Sequence, residues 1–206
     1  MGAYLLFGAT FAFASAVQPG PLQTYLVSQA LARGWRSTLP AALSPLLSDG
    51  PVIVLVLLVL VRVPSRFEHV MRLGGAVFLF YLAIGAYRSW RDWRGTDPSA
   101  SGSGGRSLFR ATVVNLLNPN PYLGWSLVLG PLLLKGWREA PVNGIALVAG
   151  FYGTMVLSLA AIIVLFAGAR SLGPRVGRGL VGASAIALVC FGAYELWTGA
   201  SGLLRR

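Results

Sequence analysis

"NLLNPNPYLGW", residues 115–125, decides how this chain is read. Pro119 and Pro121, bracketed by Asn115, Asn118 and Asn120, fall inside a stretch, 111–134, that carries no charge. A helix interior tolerates proline poorly, because the ring removes an N–H and clashes with the carbonyl four residues back. Either the segment is a loop, or a helix is broken there for a purpose, and the sequence around it decides which.

Of the 206 residues, 55% are hydrophobic and only 11% are charged. A soluble domain carries about 25% charged residues, so this chain has too little polar surface to cover a globule in water. The expected class is an all-α membrane protein. Its net charge of +11 comes from 16 Arg and a single Lys against 6 acids. The arginines fall in short clusters between apolar blocks, such as Arg33 and Arg36 or Arg88, Arg91 and Arg94, with no continuous basic face. They read as anchors at lipid headgroups, so membrane lipid and not nucleic acid is the expected partner.

Cys190 is the single cysteine, which excludes an intramolecular disulfide or a thiolate metal cluster, and it reads as a small apolar filler. His69 stands beside Glu68 without further ligands, so it reads as interfacial and no metal site is expected. The N-terminal apolar stretch runs to Ala14, Ser15 and Ala16, which resembles a signal-peptide cleavage site, but no basic residue precedes Arg33. It reads as a retained first transmembrane helix.

A bilayer-spanning helix needs about 20 mostly apolar residues. Residues 1–32, 111–134 and 140–169 are uncharged, and 37–61 is interrupted only by Asp49. The shorter stretches 73–87 and 179–194 extend into Arg88 and Trp90, or Glu195 and Trp197, side chains that snorkel or sit at the surface. Six spans result. The only break in composition is "GTDPSASGSGG", residues 95–105, a flexible linker. The expected organisation is a first three-helix repeat over 1–94, a linker over 95–107 and a second repeat over 108–206.

The repeat is visible in the residues. Gly75-Ala76, Gly85-Ala86-Tyr87 and Trp90 recur as Gly182-Ala183, Gly192-Ala193-Tyr194 and Trp197, at a constant offset of 107. "QPGP" at 18–21 faces "NPNP" at 118–121, and "ALARGWR" at 30–36 faces "LLLKGWR" at 132–138. Three spans is an odd number, so the second copy enters the membrane inverted, the plan of many secondary transporters. Of the 17 basic residues, seven fall on the side of the termini and ten on the other, a weak bias toward both termini outside the cytoplasm.

The two proline motifs now have a place. Each lies near the centre of its span, so both breaks are expected at one depth close to the midplane. Broken backbone is tolerated in a membrane only where it is buried in protein or lines a wet cavity. A shared polar cavity follows, with Gln18, Pro19, Gly20, Pro21, Asn115, Asn118, Pro119, Asn120 and Pro121 as the candidate substrate-binding residues. Half-helix ends add partial charges suited to a zwitterion. The alternative is a pair of packing kinks with Asn and Gln bonding across helices.

Asp49, in "SPLLSDGPVIVL", is thirteen residues from both Arg36 and Arg62, again the midplane. A charge there costs roughly 2.5 to 3.5 kcal/mol on insertion scales. It is the candidate proton-coupling residue; a neutral Asp bonded to a freed carbonyl near Pro45 or Pro51 is the structural alternative. Its positional counterpart in the second half is near Thr154, so only one half carries the acid.

At these residues the chain resembles the lysine-exporter (LysE/RhtB-type) family of small bacterial amino-acid efflux proteins. The likeness covers nearly the whole length: PGP at 19–21, Asp49, "GGAVFLFYLAIGAY" at 74–87 and "NLLNPNP" at 115–121. Many members place glycines before the second-span Asp, where this chain has Pro45 and Ser48, and Lys after the fourth-span Asn-Pro, where it has Asn120. The resemblance implies a multi-pass exporter of an amino acid or similar small metabolite in the bacterial inner membrane, driven by the proton gradient. No enzyme activity, cofactor or metal is expected; whether the chain forms a homo-oligomer stays open. Disulfide-electron relays need paired cysteines, and divalent-cation exporters need several intramembrane carboxylates, neither of which is present. A membrane accessory protein for lipid or envelope assembly is the alternative from another class.

Overall fold

The computed structural model describes residues 1–18, 20–59, 65–91, 104–169 and 174–204. Every element among them is helical: α1 (Gly2–Val17), α2 (Pro21–Arg33), α3 (Trp35–Thr38), a 3-10 turn (Leu39–Leu43), α4 (Ser44–Val59), α5 (Ser65–Arg91), α6 (Gly104–Leu117), α7 (Pro119–Gly124), a π-helical turn (Trp125–Leu129), α8 (Gly130–Glu139), α9 (Pro141–Gly168) and α10 (Pro174–Leu204). The expected all-α class is what the chain adopts. Most of the linker lies outside the described residues, but Gly104 to Ser107 already belong to α6.

Within these elements, Pro141–Gly168 and Val181–Leu203 are each long and apolar enough to cross a bilayer, and α1 with α2 makes a third as a pair bent by 64°. Of the remaining expected spans, 73–87 lies within the single helix α5, and the other two are divided. The stretch 111–134 is divided among α6, α7, the π turn and α8, because Pro119 cannot continue the helix that ends at Leu117. Residues 37–61 are likewise divided, with Pro40 in the 3-10 turn before α4 begins.

Two long pairings frame the molecule. Helix α1 runs alongside α9 in the same direction, with Tyr4 donating to Glu139 at 2.8 Å near their starts and Phe11 beside Phe151 further along. Glycines make that approach possible, since a Cβ at Gly8 would meet the Leu147 carbonyl and one at Gly150 the Leu5 carbonyl. Helix α5 runs antiparallel to α10. Trp90 covers Gly182, Phe80 covers Gly192, and Arg72 pairs with Glu195 at 2.9 Å. Glu195 therefore departs from its expected interfacial place: it is buried against α5, where the guanidinium offsets its desolvation. Cys190 departs too, facing outward and not filling the core.

The remaining helices fill the space between these pairs. Helix α6 passes α2, where Tyr25 donates to the Ser107 carbonyl at 3.4 Å, and α4, where Asn115 donates to Ser48 at 2.7 Å. The ends of the molecule are thus distinguishable: Arg33, the 3-10 turn and Gly104 lie at one, Tyr4 and Glu139 at the other.

Candidate functional site

Both sequence-predicted breaks are present. Helix α1 stops at Val17; Gly20 is extended (φ −166°, ψ 178°), and α2 restarts with Pro21 in its first turn. Proline is well placed there, because a first-turn N–H has no partner to lose. The carbonyls that α1 leaves without helical partners are met locally: Gln18 N–H donates to Ala14 O at 3.1 Å, and the Gln23 amide returns from α2 to Ser15 O at 3.0 Å. At the second break Asn118 is extended (φ −83°, ψ 125°) and caps α7 through its side chain, which accepts from Asn120 N–H at 3.1 Å. Here the Tyr122 hydroxyl donates back to Leu116 O at 2.9 Å.

Asp49 sits beside the second break, buried to 3% exposure. A carboxyl so placed needs donors, and it has them from three helices and the π turn. Asn115 donates to Oδ1 at 3.1 Å, and the Ser48 hydroxyl lies 3.2 Å from the same oxygen. The Trp125 indole donates to Oδ2 at 3.3 Å and the Tyr152 hydroxyl at 3.4 Å. All four are neutral side chains, so the acid is solvated by dipoles instead of being paired with a cation. Trp125 reaches it from the π turn, whose wider winding is a frequent device at functional positions. The rings of Trp125, Phe151 and Tyr152 pack on one another with centroids 5.0 to 6.3 Å apart, which fixes the two donors in place.

A cavity of about 280 Å³ opens between the two breaks. Asp49 is the one charged side chain among the described residues that line it, and Gln18, Asn115, Asn118 and Asn120 add polar groups. Phe11, Phe151 and Met155 supply an apolar wall. The cavity is polar at the break points and apolar toward α1 and α9, the usual layout of a small-molecule site.

Of the other sequence-predicted residues, Gly20 and Pro121 also line this cavity. Pro21 and Pro119 do not: each occupies the first turn of its helix and serves the break itself. Pro19 lies outside the described residues. The partners of Asp49 are Ser48, Asn115, Trp125 and Tyr152. Of these four, Asn115 alone is among the sequence-predicted site residues. Of the other three, only Tyr152 carried a signal, since it stands two residues from the expected counterpart of Asp49.

Comparison with curated proteins and with solved structures gives no match. A family model does match, that of the LysE type translocator, over residues 13–199. That range takes in both breaks, Asp49 and all four of its side-chain donors, so the chain belongs to the LysE type translocator family of membrane transport proteins.

Proposed function

We propose that this protein exports an amino acid or a similar small metabolite across the bacterial inner membrane by proton antiport. The observation that carries the reading is Asp49, a single buried carboxyl held by four neutral donors on the wall of a cavity between two broken helices. A volume of about 280 Å³ is at the lower end of ligand pockets, which suits a small solute. Gln18, Asn118, Asn120 and the backbone at Gly20 are the substrate-binding groups. Asn115 is committed to Asp49 and Ser48 and acts through them.

Six spans in two inverted three-helix repeats, 1–94 and 108–206, are the architecture of this reading. The antiparallel course of α5 and α10 supports it, because repeat-related helices must run in opposite directions if the second copy is inverted. Cysteine labels at Ser101 and beyond Leu204 then react from opposite faces of the membrane. Labelling of both from one face overturns the inverted repeat.

In the proposed cycle Asp49 carries the proton and the break residues carry the solute. Asp49→Asn keeps the shape of the side chain and one of its two accepting oxygens but cannot bind or release a proton. In proteoliposomes it keeps exchange between equal pools of solute and loses accumulation driven by an imposed pH gradient. A variant that still accumulates solute on the proton gradient alone excludes Asp49 as the coupling group. Wild-type liposomes that move none of the twenty amino acids exclude an amino acid as the cargo.

A further inference from the structure

Toward the Tyr4 and Glu139 end the cavity wall includes Phe11, Leu129 and Phe151; toward the Arg33 end it is bounded by Gln23, Pro45 and Met155. Beyond that point α6 packs against α2 on one side and against α4 and the 3-10 turn on the other, with small side chains among the buried residues. Ala30, Ala41, Ala42 and Ala111 are buried, and Gly104 lies against Pro40.

This seam holds an anomaly. Ser28 on α2, Ser44 on α4 and Ser107 on α6 are buried, at 0%, 0% and 5% exposure, and their hydroxyls have no hydrogen-bond partner among the described residues. Hydroxyls on helices ordinarily donate to the carbonyl a turn earlier, as Thr10, Ser15, Ser37 and Thr112 do here. A buried hydroxyl left without a partner is destabilising, yet α6 and the two helices that pack on it, α2 and α4, each carry one. All three lie toward the Arg33 end of the site. Ser44 is five residues before Asp49 along α4, Ser107 is eight before Asn115 along α6, and Ser28 is seven past Pro21 along α2. The bonds from Tyr25 to the Ser107 carbonyl and from Asn115 to Ser48 hold these helices side by side.

We propose that the seam between α2, α4 and α6 is the second half of the transport passage, closed in this conformation, and that Ser28, Ser44 and Ser107 line it when it opens. The inference rests on the transporter reading and adds to it the route from Asp49 to the Arg33 face. Opening lets water reach the three hydroxyls, which removes their penalty. Alanine and serine walls expose little apolar surface on parting. The α1–α9 and α5–α10 pairs stay together, one by backbone contact at Gly8 and Gly150, the other by the Arg72–Glu195 pair.

The test uses the full chain in proteoliposomes with Cys190→Ser as background. Ser28→Cys, Ser44→Cys and Ser107→Cys are each exposed to a membrane-impermeant thiol reagent from one face and then the other, with Ile163→Cys, in the buried core, as control. All three are expected to react from the Arg33 face only, and faster while a pH gradient drives the cycle. Efflux of a loaded mixture of the twenty amino acids by the Cys190→Ser protein is read in the same vesicles. Efflux without labelling overturns the passage alone; no efflux overturns the amino-acid export on which it rests. Labelling from the opposite face, or of Ile163→Cys equally, also overturns the passage. A second measurement stands apart from cysteine chemistry. The triple Ser→Ala variant removes the penalty from the closed state only, so its melting temperature rises while its efflux falls roughly tenfold or more. A lowered or unchanged melting temperature with undiminished efflux shows that the hydroxyls have no such part.

Discussion

At the first break the Gln23 amide returns to the Ser15 carbonyl; at the second the Tyr122 hydroxyl returns to the Leu116 carbonyl. Both breaks restart a helix with proline in its first turn after an extended residue. They differ in what surrounds that common core. The first has no side-chain cap and turns the chain by 64°, and its residues serve as cavity wall. The second is capped by Asn118, follows Asn115 by three residues and leads into the π turn that aims Trp125. Two donors to Asp49 therefore flank the second break, and none comes from the first. Breaking a helix and equipping a site are separable jobs: the backbone solution is shared, and the chemistry is added to one copy.

The largest expected effect sets the breaks furthest apart. Pro119→Ala with Pro121→Ala lets α6 continue into α7, which moves Asn115 and Trp125 off Asp49 and abolishes proteoliposome efflux while protein remains in the membrane. Full efflux in the double variant would reduce the second break to a packing kink. Next in size are the returning side chains. Tyr122→Phe and Gln23→Leu each leave a partly buried carbonyl without that partner, for a loss of about 1 kcal/mol read in thermal unfolding. Comparable losses sustain the likeness of the two breaks, and a shift confined to one of them ends it. Smallest are the first-turn residues. Asn118→Ala costs about 1 kcal/mol as a lost cap, and Pro21→Ala changes stability by less than about 1 kcal/mol. A larger effect from Pro21 than from Asn118 would reverse the assignment of the cap to the second break.

Much of this was legible in the sequence because proline and an intramembrane acid carry unusual costs. "QPGP" and "NPNP" announced the breaks, and Asp49 announced the site, since neither is expected in a lipid-spanning helix without a compensating partner. The partners themselves were hidden. Trp125 and Tyr152 in an apolar stretch look like any core or interface aromatic, and only the fold shows their polar atoms meeting one carboxyl. Asn115 was chosen as a substrate ligand, yet it is occupied by Ser48 and Asp49, because α4 and α6 lie side by side. Glu195 looked interfacial for a similar reason: Arg72 is 123 residues away in sequence, and their meeting depends on the antiparallel course of α5 and α10.

The π turn at Trp125–Leu129 has a consequence for length changes in this chain. A π turn accommodates one more residue than the α-helix around it. Deleting a single residue there is thus the one shortening that leaves an unbroken α-helix, and local helicity would improve. Because the wider turn absorbs the extra residue, the deletion leaves α8 in phase with what precedes it, and Leu133 and Trp137 stay packed on Gly144. What changes is inside the turn: the indole of Trp125 is presented from α spacing and swings off Asp49. The extra residue thus sets the direction of one side chain while costing the flanking helices no register.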